Sequence, residues 1–365
     1  MKRYIYIALT ALTALAGCVK VETVEKPAEE VTFMVGQYAA TKAVSLNSDG
    51  ITSFRSKGYL HAIGVDETQD FFGADGETIY WREGTTEWTP THPFYGPKHS
   101  SSYVNFISWH DNGGNPTTLS ETSLQWTGRT IAASDNIMFA DAVWHYKSNT
   151  ANGSQYTGDE VTSGVPTLFH HALTRVQIKL RATVAADPDN ASTTYEITLN
   201  TAQLAGYYTS GNMRLSTTEP AGTAPATSIW LGVNNATLLW SPSNGSNTTP
   251  LACIDSEMDI TTTSTPVLAL RSFLPQTLSE NVVFSFTYTL TTKSNGLMTS
   301  SEEDIPVSIV LNTIRSTANM AITQWQPNKI YTYNIAINPV GQDILLNPIV
   351  ESDWTFGNDL SATVE

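Results

Sequence analysis

The chain has 365 residues, of which 41% are hydrophobic and 10% aromatic, enough to bury the cores of two domains of ordinary size. Only 15% of its residues are charged and its net charge is −15, whereas about 25% of residues are charged in a typical soluble protein. An acidic surface repels phosphate backbones, so the composition argues against a nucleic-acid-binding protein.

The first 17 residues have the pattern of a secretory signal. Lys2 and Arg3 precede an apolar run over residues 4–14, and Leu15, Ala16 and Gly17 follow as a cleavage site of the small-residue type. The next residue, Cys18, makes the segment similar to a bacterial lipobox, in which the thiol is acylated and becomes the mature N-terminus. The apolar run is shorter than the ~20 residues that span a bilayer. We therefore expect a lipid-anchored precursor at the outer membrane; an ordinary signal peptide with an unrelated cysteine is the alternative.

Residues 18–30 lack a core pattern and are predicted to be a tether. The first strand is predicted at residues 31–35, with Val31, Phe33 and Val35 pointing inward. Further strands are predicted at residues 59–65, 78–81, 103–109, 176–184, 195–199, 267–274, 282–290, 305–311 and 330–337. Short strands separated by turn residues indicate an all-β fold of sandwiches.

A polar stretch over residues 148–164 is the predicted domain boundary. It divides the chain into an N-terminal sandwich at residues 31–160 and a C-terminal sandwich with a tail at residues 161–365. Because the anchor uses Cys18, the other of the two cysteines, Cys253, is left unpaired among apolar neighbours. We expect it to be a small buried hydrophobe, with no disulfide framework in the mature chain.

The polar residues give no sign of catalysis or metal binding. His170 and His171 are adjacent on a predicted strand, so their side chains point to opposite faces and cannot share one metal ion. The sequence has neither a Gly-x-Ser-x-Gly nucleophile motif nor a phosphate-binding glycine loop. We therefore predict a protein that is not an enzyme and has neither cofactor nor metal.

Five segments in this order resemble those of the fimbrillin-like proteins of Bacteroidetes, which are subunits of type V pili. They are an aromatic strand pair at residues 79–81 and 104–109, an acidic-polar segment at 134–140 and an F-x-H-x-L-type run at 168–176. A Pro-Gln strand end at 273–276 and a W-x-P-N-x-x-Y-x-Y run at 325–333 complete the set. The resemblance implies two tandem transthyretin-like β-sandwich domains. It also implies the cell surface and the fimbrium as the location.

The resemblance further implies assembly by strand exchange. A trypsin-like protease cuts after a basic residue and removes the first strand, here Val31, Phe33 and Val35, and the vacated groove accepts a strand of the next subunit. Lys42 and Arg55 are the candidate cut sites, and the sequence does not choose between them. The expected partners are other pilus subunits, the processing protease and the outer membrane through the lipid.

The donor strand is expected in the C-terminal tail at residues 343–354, with Ile344, Leu346, Ile349 and Trp354 as its apolar residues. The alternative is that the tail completes its own domain's sheet. Pro348 cannot donate a backbone hydrogen bond, which favours a sheet edge or a break at that point.

Two other functions are weighed against the pilus subunit. The first is a monomeric surface lipoprotein that binds glycan or protein ligands, since exposed aromatic rings can stack on sugars. Five of the nine tryptophans crowd the first half of the chain, although they can equally fill the cores: Trp81, Trp88, Trp109, Trp126 and Trp144. The second is a lipoprotein hydrolase, which the sequence barely supports.

Overall fold

The computed structural model describes residues 30–37, 51–82, 87–97, 102–140, 142–146, 164–217, 236–242, 249–315 and 321–351. Over these ranges the chain forms 24 strands, β1 to β24, and one 3-10 turn at Leu311–Thr313. The strands are arranged in several sheets that pack around apolar cores. This confirms the predicted all-β fold of β-sandwiches.

The first sheet has nine strands in the order β10-β6-β9-β11-β1-β5-β4-β2-β3. An additional pairing of β2 with β6 returns the ladder on itself, so the sheet encloses one core. The strands are β1 (Phe33–Gln37), β2 (Ser53–His61), β3 (Gln69–Asp70), β4 (Glu77–Trp81), β5 (Trp88–Pro90), β6 (Tyr103–Asp111), β9 (Ile137–Ala140), β10 (Val143–Tyr146) and β11 (Val165–His171).

Two further sheets enclose a second core. Their orders are β18-β12-β23-β24 and β16-β13-β20-β21, with β17 also paired to β13. On β12 the alternating residues Val176, Ile178 and Leu180 are fully buried, as period-two patterning requires. The strands are β12 (Thr174–Ala182), β13 (Thr193–Ala205), β16 (Leu251–Ala252), β17 (Met258–Ile260), β18 (Thr265–Phe273), β20 (Val283–Ser294), β21 (Leu297–Val310), β23 (Ile330–Asn338) and β24 (Asp343–Glu351).

A fourth sheet joins the two halves of the chain, in the order β15-β14-β8-β7. It pairs β8 (Ser123–Thr130) and β7 (Thr118–Ser120) of the first half with β14 (Ser210–Thr217) and β15 (Ala236–Pro242) of the second. A short ladder of β19 (Gln276–Thr277) and β22 (Gln324–Trp325) lies nearby. A third core beneath draws on both halves, with buried residues that include Trp109, Trp126, Met213, Leu215 and Leu274.

The predicted domain division stays a prediction. Most of its boundary, residues 148–163, lies outside the described residues. Strand β11 follows the boundary in sequence yet pairs with β1 and β9 of the first sheet. The first sheet therefore includes chain from both sides of residue 160.

Candidate subunit-assembly site

Strand β1 lies inside the first sheet rather than at its edge. On one side it pairs in parallel with β11 over five residue pairs, from Phe33 opposite Val165 to Gln37 opposite Phe169. On the other side Phe33 lies opposite Trp88 of β5, and the Val31 N–H donates to the Phe94 carbonyl at 2.7 Å. Loss of β1 would therefore leave unpaired backbone groups along both β11 and β5.

The side chains of Val31, Phe33 and Val35 enter the first core, in the inward orientation that alternation predicts. Their exposed fractions are 1%, 0% and 7%. The Phe33 ring packs edge-on against Phe54 and Phe106, with centroid distances of 5.6 Å and 5.5 Å. Burying a side chain of this size stabilises the folded state by about 1.5–3 kcal/mol.

Gly164 allows β11 to start directly against β1. Its φ of +125° lies in the region that L-residues with side chains rarely adopt, and a Cβ built there would lie 2.5 Å from the Thr32 carbonyl oxygen. The Val165 N–H donates to that same oxygen at 2.7 Å. Only glycine permits this approach, so residue 164 fixes where the β1–β11 ladder begins.

The two candidate cut sites lie in different surroundings. Arg55 belongs to β2, opposite Thr78 of β4 on one side and Trp109 of β6 on the other. Its guanidinium donates to the Asp75 carbonyl at 2.6 Å. Lys42 lies outside the described residues, in the segment 38–50 between β1 and β2.

The candidate donor residues Ile344, Leu346 and Ile349 lie in β24, the edge strand of its sheet, and Trp354 lies outside the described residues. All nine residues of β24 pair antiparallel with β23. In this structure residues 343–351 therefore add a strand to their own domain. Four large apolar side chains of β24 are nevertheless exposed by 37–53%: Leu345, Leu346, Ile349 and Val350.

Two residues near β1 are not predicted by the sequence pattern: Phe72, which lines the groove, and the buried Lys57. The Lys57 ammonium, on a side chain 3% exposed, lies 2.5 Å from the Asp70 carboxylate and donates to the Ala74 carbonyl at 3.0 Å and to that of Gly73. These contacts hold the turn that carries Phe72 over the core, where its ring lies 6.3 Å from Phe33. The adjacent aromatic pair at residues 71–72 was the available signal.

His171 and Cys253, which the sequence also singled out, have surroundings that fit a structural role. His171 is 2% exposed with Nδ1 3.0 Å from Asn136 Oδ1, and burial lowers its pKa well below 6.5. Burial also raises the pKa of the Cys253 thiol to about 11. Among the described residues, no group of three or more His, Cys, Asp or Glu side chains could hold a metal ion.

The five tryptophans of the first half contribute to cores. Four of them are exposed by 3% or less: Trp88, Trp109, Trp126 and Trp144. The fifth, Trp81, is half-buried and packs against the first core. They are therefore not available as an exposed platform for sugars. In the described part of the chain, no helix has the length and apolar character needed to cross a bilayer.

A comparison with family models identifies the family of this chain. A family model described as fimbrillin-like matches residues 51–354. No curated protein matches the sequence. The matched range begins after β1 and includes all of β24.

Three solved structures illustrate the likeness. A fimbrial protein from Bacteroides vulgatus is 14% identical with a TM-score of 0.53, over 90% of this chain and 100% of that one. A candidate cell-adhesion protein from Bacteroides uniformis is 15% identical (TM-score 0.45, 90% and 99% covered). A C-terminally truncated tip fimbrial protein from Porphyromonas gingivalis is 8% identical (TM-score 0.39, 89% and 100% covered). The first likeness shows a shared fold.

Proposed function

The chain belongs to the fimbrillin-like family, and we propose that it is a structural or adhesive subunit of a type V pilus. We propose further that it is exported as a lipoprotein on Cys18 and assembled by protease-triggered strand exchange. The observation that carries the second proposal is β1, an interior strand whose buried side chains enter the first core.

Strand exchange requires that β1 leave the first sheet. Without it, β11 and β5 lose a backbone partner, and the Phe54 and Phe106 rings lose the Phe33 ring between them. A groove of this kind has two requirements of its occupant: an extended backbone, and apolar side chains at alternate positions. A strand of a neighbouring subunit meets both, so subunits can join in a chain.

The cut is best assigned to Lys42. A protease needs an extended substrate segment with free backbone groups, and Arg55 is paired on both sides within β2. A cut after Arg55 would also divide β2 in two. A cut after Lys42 separates β1 from β2 between the strands and releases β1 together with the tether and Cys18.

The donor is best assigned to the C-terminal tail. In its docked position β24 is an edge strand that leaves four large apolar side chains exposed by 37–53%, while Ile344 is half-buried and Pro348 is buried. Insertion into a groove would bury side chains that the monomer exposes, which favours transfer. A tail that stays docked instead describes a subunit that accepts a strand and gives none.

Limited proteolysis tests the assembly mechanism. We expect mild trypsin treatment of the folded precursor to produce SDS-resistant ladders, and Lys42→Ala to abolish them while Arg55→Ala leaves them. A synthetic peptide of residues 30–37 should fill the groove and shorten the ladders. If nicked protein stays monomeric at high concentration, strand exchange is wrong and the monomeric surface lipoprotein is favoured.

Two variants test the ends of the chain. A chain that stops at residue 342 should be nicked but form no ladder, and ladders from it would exclude the tail as donor. Cys18→Ser should lose incorporation of a labelled fatty acid and remain unprocessed or periplasmic. Normal surface display of that variant would contradict the lipid anchor.

A further inference from the structure

A cleft of about 420 Å³ lies between the edge strand β15 and the β19–β22 ladder. It is within the range of ~300–1,000 Å³ typical of small-molecule sites. Its lining includes Leu238, Trp240, Thr277, Gln324, Trp325 and Gln326. We propose that this cleft binds a neutral carbohydrate, with Trp240 as the stacking surface and Gln324 and Gln326 as hydrogen-bonding groups.

The floor of the cleft is held in place by hydrogen bonds. Gln276 lies opposite Trp325 in the β19–β22 ladder, and Gln276 Oε1 accepts from the Tyr208 N–H at 2.8 Å. The Trp325 indole N–H donates to the Tyr333 hydroxyl at 2.9 Å. A floor that is already ordered loses little conformational entropy when a ligand binds.

Trp240 supplies an aromatic side wall. Its indole N–H donates to the Ala172 carbonyl at 2.8 Å, and the residue is half-buried against the third core. The ring is therefore fixed at one edge while it lines the cleft. The C–H face of a pyranose is an apolar patch that can pack on such a ring, as apolar groups generally pack on indole.

The polar groups of the cleft match sugar hydroxyls. Gln324, Gln326 and Thr277 are exposed, and none of the hydrogen bonds between described residues uses their side chains. Amide and hydroxyl groups both donate and accept, as do the hydroxyls of a sugar.

The described residues that line the cleft carry no charge. None of them is ionisable, although the chain carries a net charge of −15. A charged ligand would find no counter-ion there, so the chemistry favours a neutral glycan over a sialylated, sulfated or phosphorylated one.

The test uses the un-nicked full chain as a monomer, so that its outcome is independent of strand exchange. The probe is a printed array of neutral hexose and N-acetylhexosamine oligosaccharides, with sialylated and sulfated glycans as the charged arm. Isothermal titration calorimetry with the strongest neutral oligosaccharide then gives the affinity. We expect binding to the neutral arm, and a loss of at least tenfold in affinity for Trp240→Ala.

Tyr80→Ala is the matched control, because Tyr80 is an aromatic residue 47% exposed on β4 that does not line the cleft. Its affinity should equal that of the wild type. Since Trp240 also packs against the third core, the double variant Gln324→Ala/Gln326→Ala provides a second test at exposed positions. Loss of two hydrogen bonds of ~1 kcal/mol each predicts a roughly 25-fold weaker affinity.

Three results would overturn the proposal: no binding to any neutral glycan at millimolar concentration, binding confined to the charged arm, or an affinity that the double glutamine variant leaves unchanged.

Discussion

Removing the Phe33 ring should weaken the binding of β1 to the first sheet and speed its release. Phe33 is fully buried and packs against Phe54, Phe72 and Phe106, with centroid distances of 5.5–6.3 Å. Truncation of a buried phenylalanine to alanine costs about 3–5 kcal/mol. If the whole cost falls on the release of β1, the strand should leave a nicked chain about 100- to 5,000-fold faster, at one decade per ~1.4 kcal/mol.

The assay needs a defined nick. A site for a sequence-specific protease, placed within residues 38–50, would separate β1 from β2 independently of the natural cut. Release is then followed as the uptake of a fluorescent peptide of residues 30–37 into the vacated groove. The same peptide is used for the wild type and for Phe33→Ala, so that only the departing strand differs.

Phe273→Ala is the matched control. Phe273 is 3% exposed and packs against Tyr207 and Trp325 at 5.1 Å in the second core. Its loss should lower the free energy of unfolding by a similar amount but leave the uptake rate unchanged. Equal uptake rates for the Phe33→Ala and Phe273→Ala chains would refute the reasoning, because release of β1 would then follow global stability.

Three further changes test the packing. Asp111→Ala should lower the free energy of unfolding by about 1–3 kcal/mol, because the fully buried Asp111 carboxylate pairs with Arg129 at 2.9 Å and accepts from the Trp126 indole N–H at 3.0 Å, while Arg129 keeps Asp135 at 3.1 Å. Stability should fall below about pH 6.5, by up to ~1.4 kcal/mol per pH unit, because burial holds the His171 pKa well below 6.5 and only the unfolded chain takes up the proton. Gly206→Ala should cost about 1–3 kcal/mol more than Gly296→Ala: both glycines have φ near +80°, but a Cβ at residue 206 lies 1.7 Å from a backbone oxygen, whereas residue 296 has open space.

Urea denaturation measures all three. Asp66→Ala removes an exposed carboxylate and should change little; an equal cost for the two aspartates would contradict the role of the buried pair. In His171→Gln the slope of the unfolding free energy against pH should be smaller by the contribution of one proton. An unchanged slope would exclude His171 as its source. Equal costs for the two glycine variants would mean that the chain near residue 281 yields to the added methyl group.

The class of fold follows from local pattern, and so do single strands. The period-two alternation of Val31, Phe33 and Val35 is sufficient to predict a strand with these side chains inward, because successive strand residues point to opposite faces. Strand β2 (Ser53–His61) is harder to predict from its pattern, because it contains the charged residues Arg55 and Lys57. The Lys57 charge is buried because distant groups in the 70–74 turn neutralise and solvate it, which no local pattern reveals.

The pairing of strands that are distant in sequence cannot be predicted from local pattern. The pairing of β1 with β11 joins residues more than 120 positions apart, and that of β8 with β14 joins the two predicted domains. Register between distant strands depends on which side chains share a face, which one strand's sequence does not specify. The cleft is unpredictable for the same reason, because the fourth sheet and the β19–β22 ladder bring Trp240 and Gln324 together.

Cleavage alone should not open the groove. After a cut at Lys42, β1 is held by its backbone ladder and by three buried side chains, Val31, Phe33 and Val35, which at about 1.5–3 kcal/mol each contribute roughly 5–9 kcal/mol. A strand held this firmly leaves slowly on its own, so a competing strand that replaces its contacts step by step offers the faster route. Once cleavage is complete, the rate of ladder growth should therefore still rise with donor concentration. In the proposed mechanism the cut makes exchange possible, because it breaks the covalent link between β1 and β2 and leaves only a non-covalent hold that another subunit can displace.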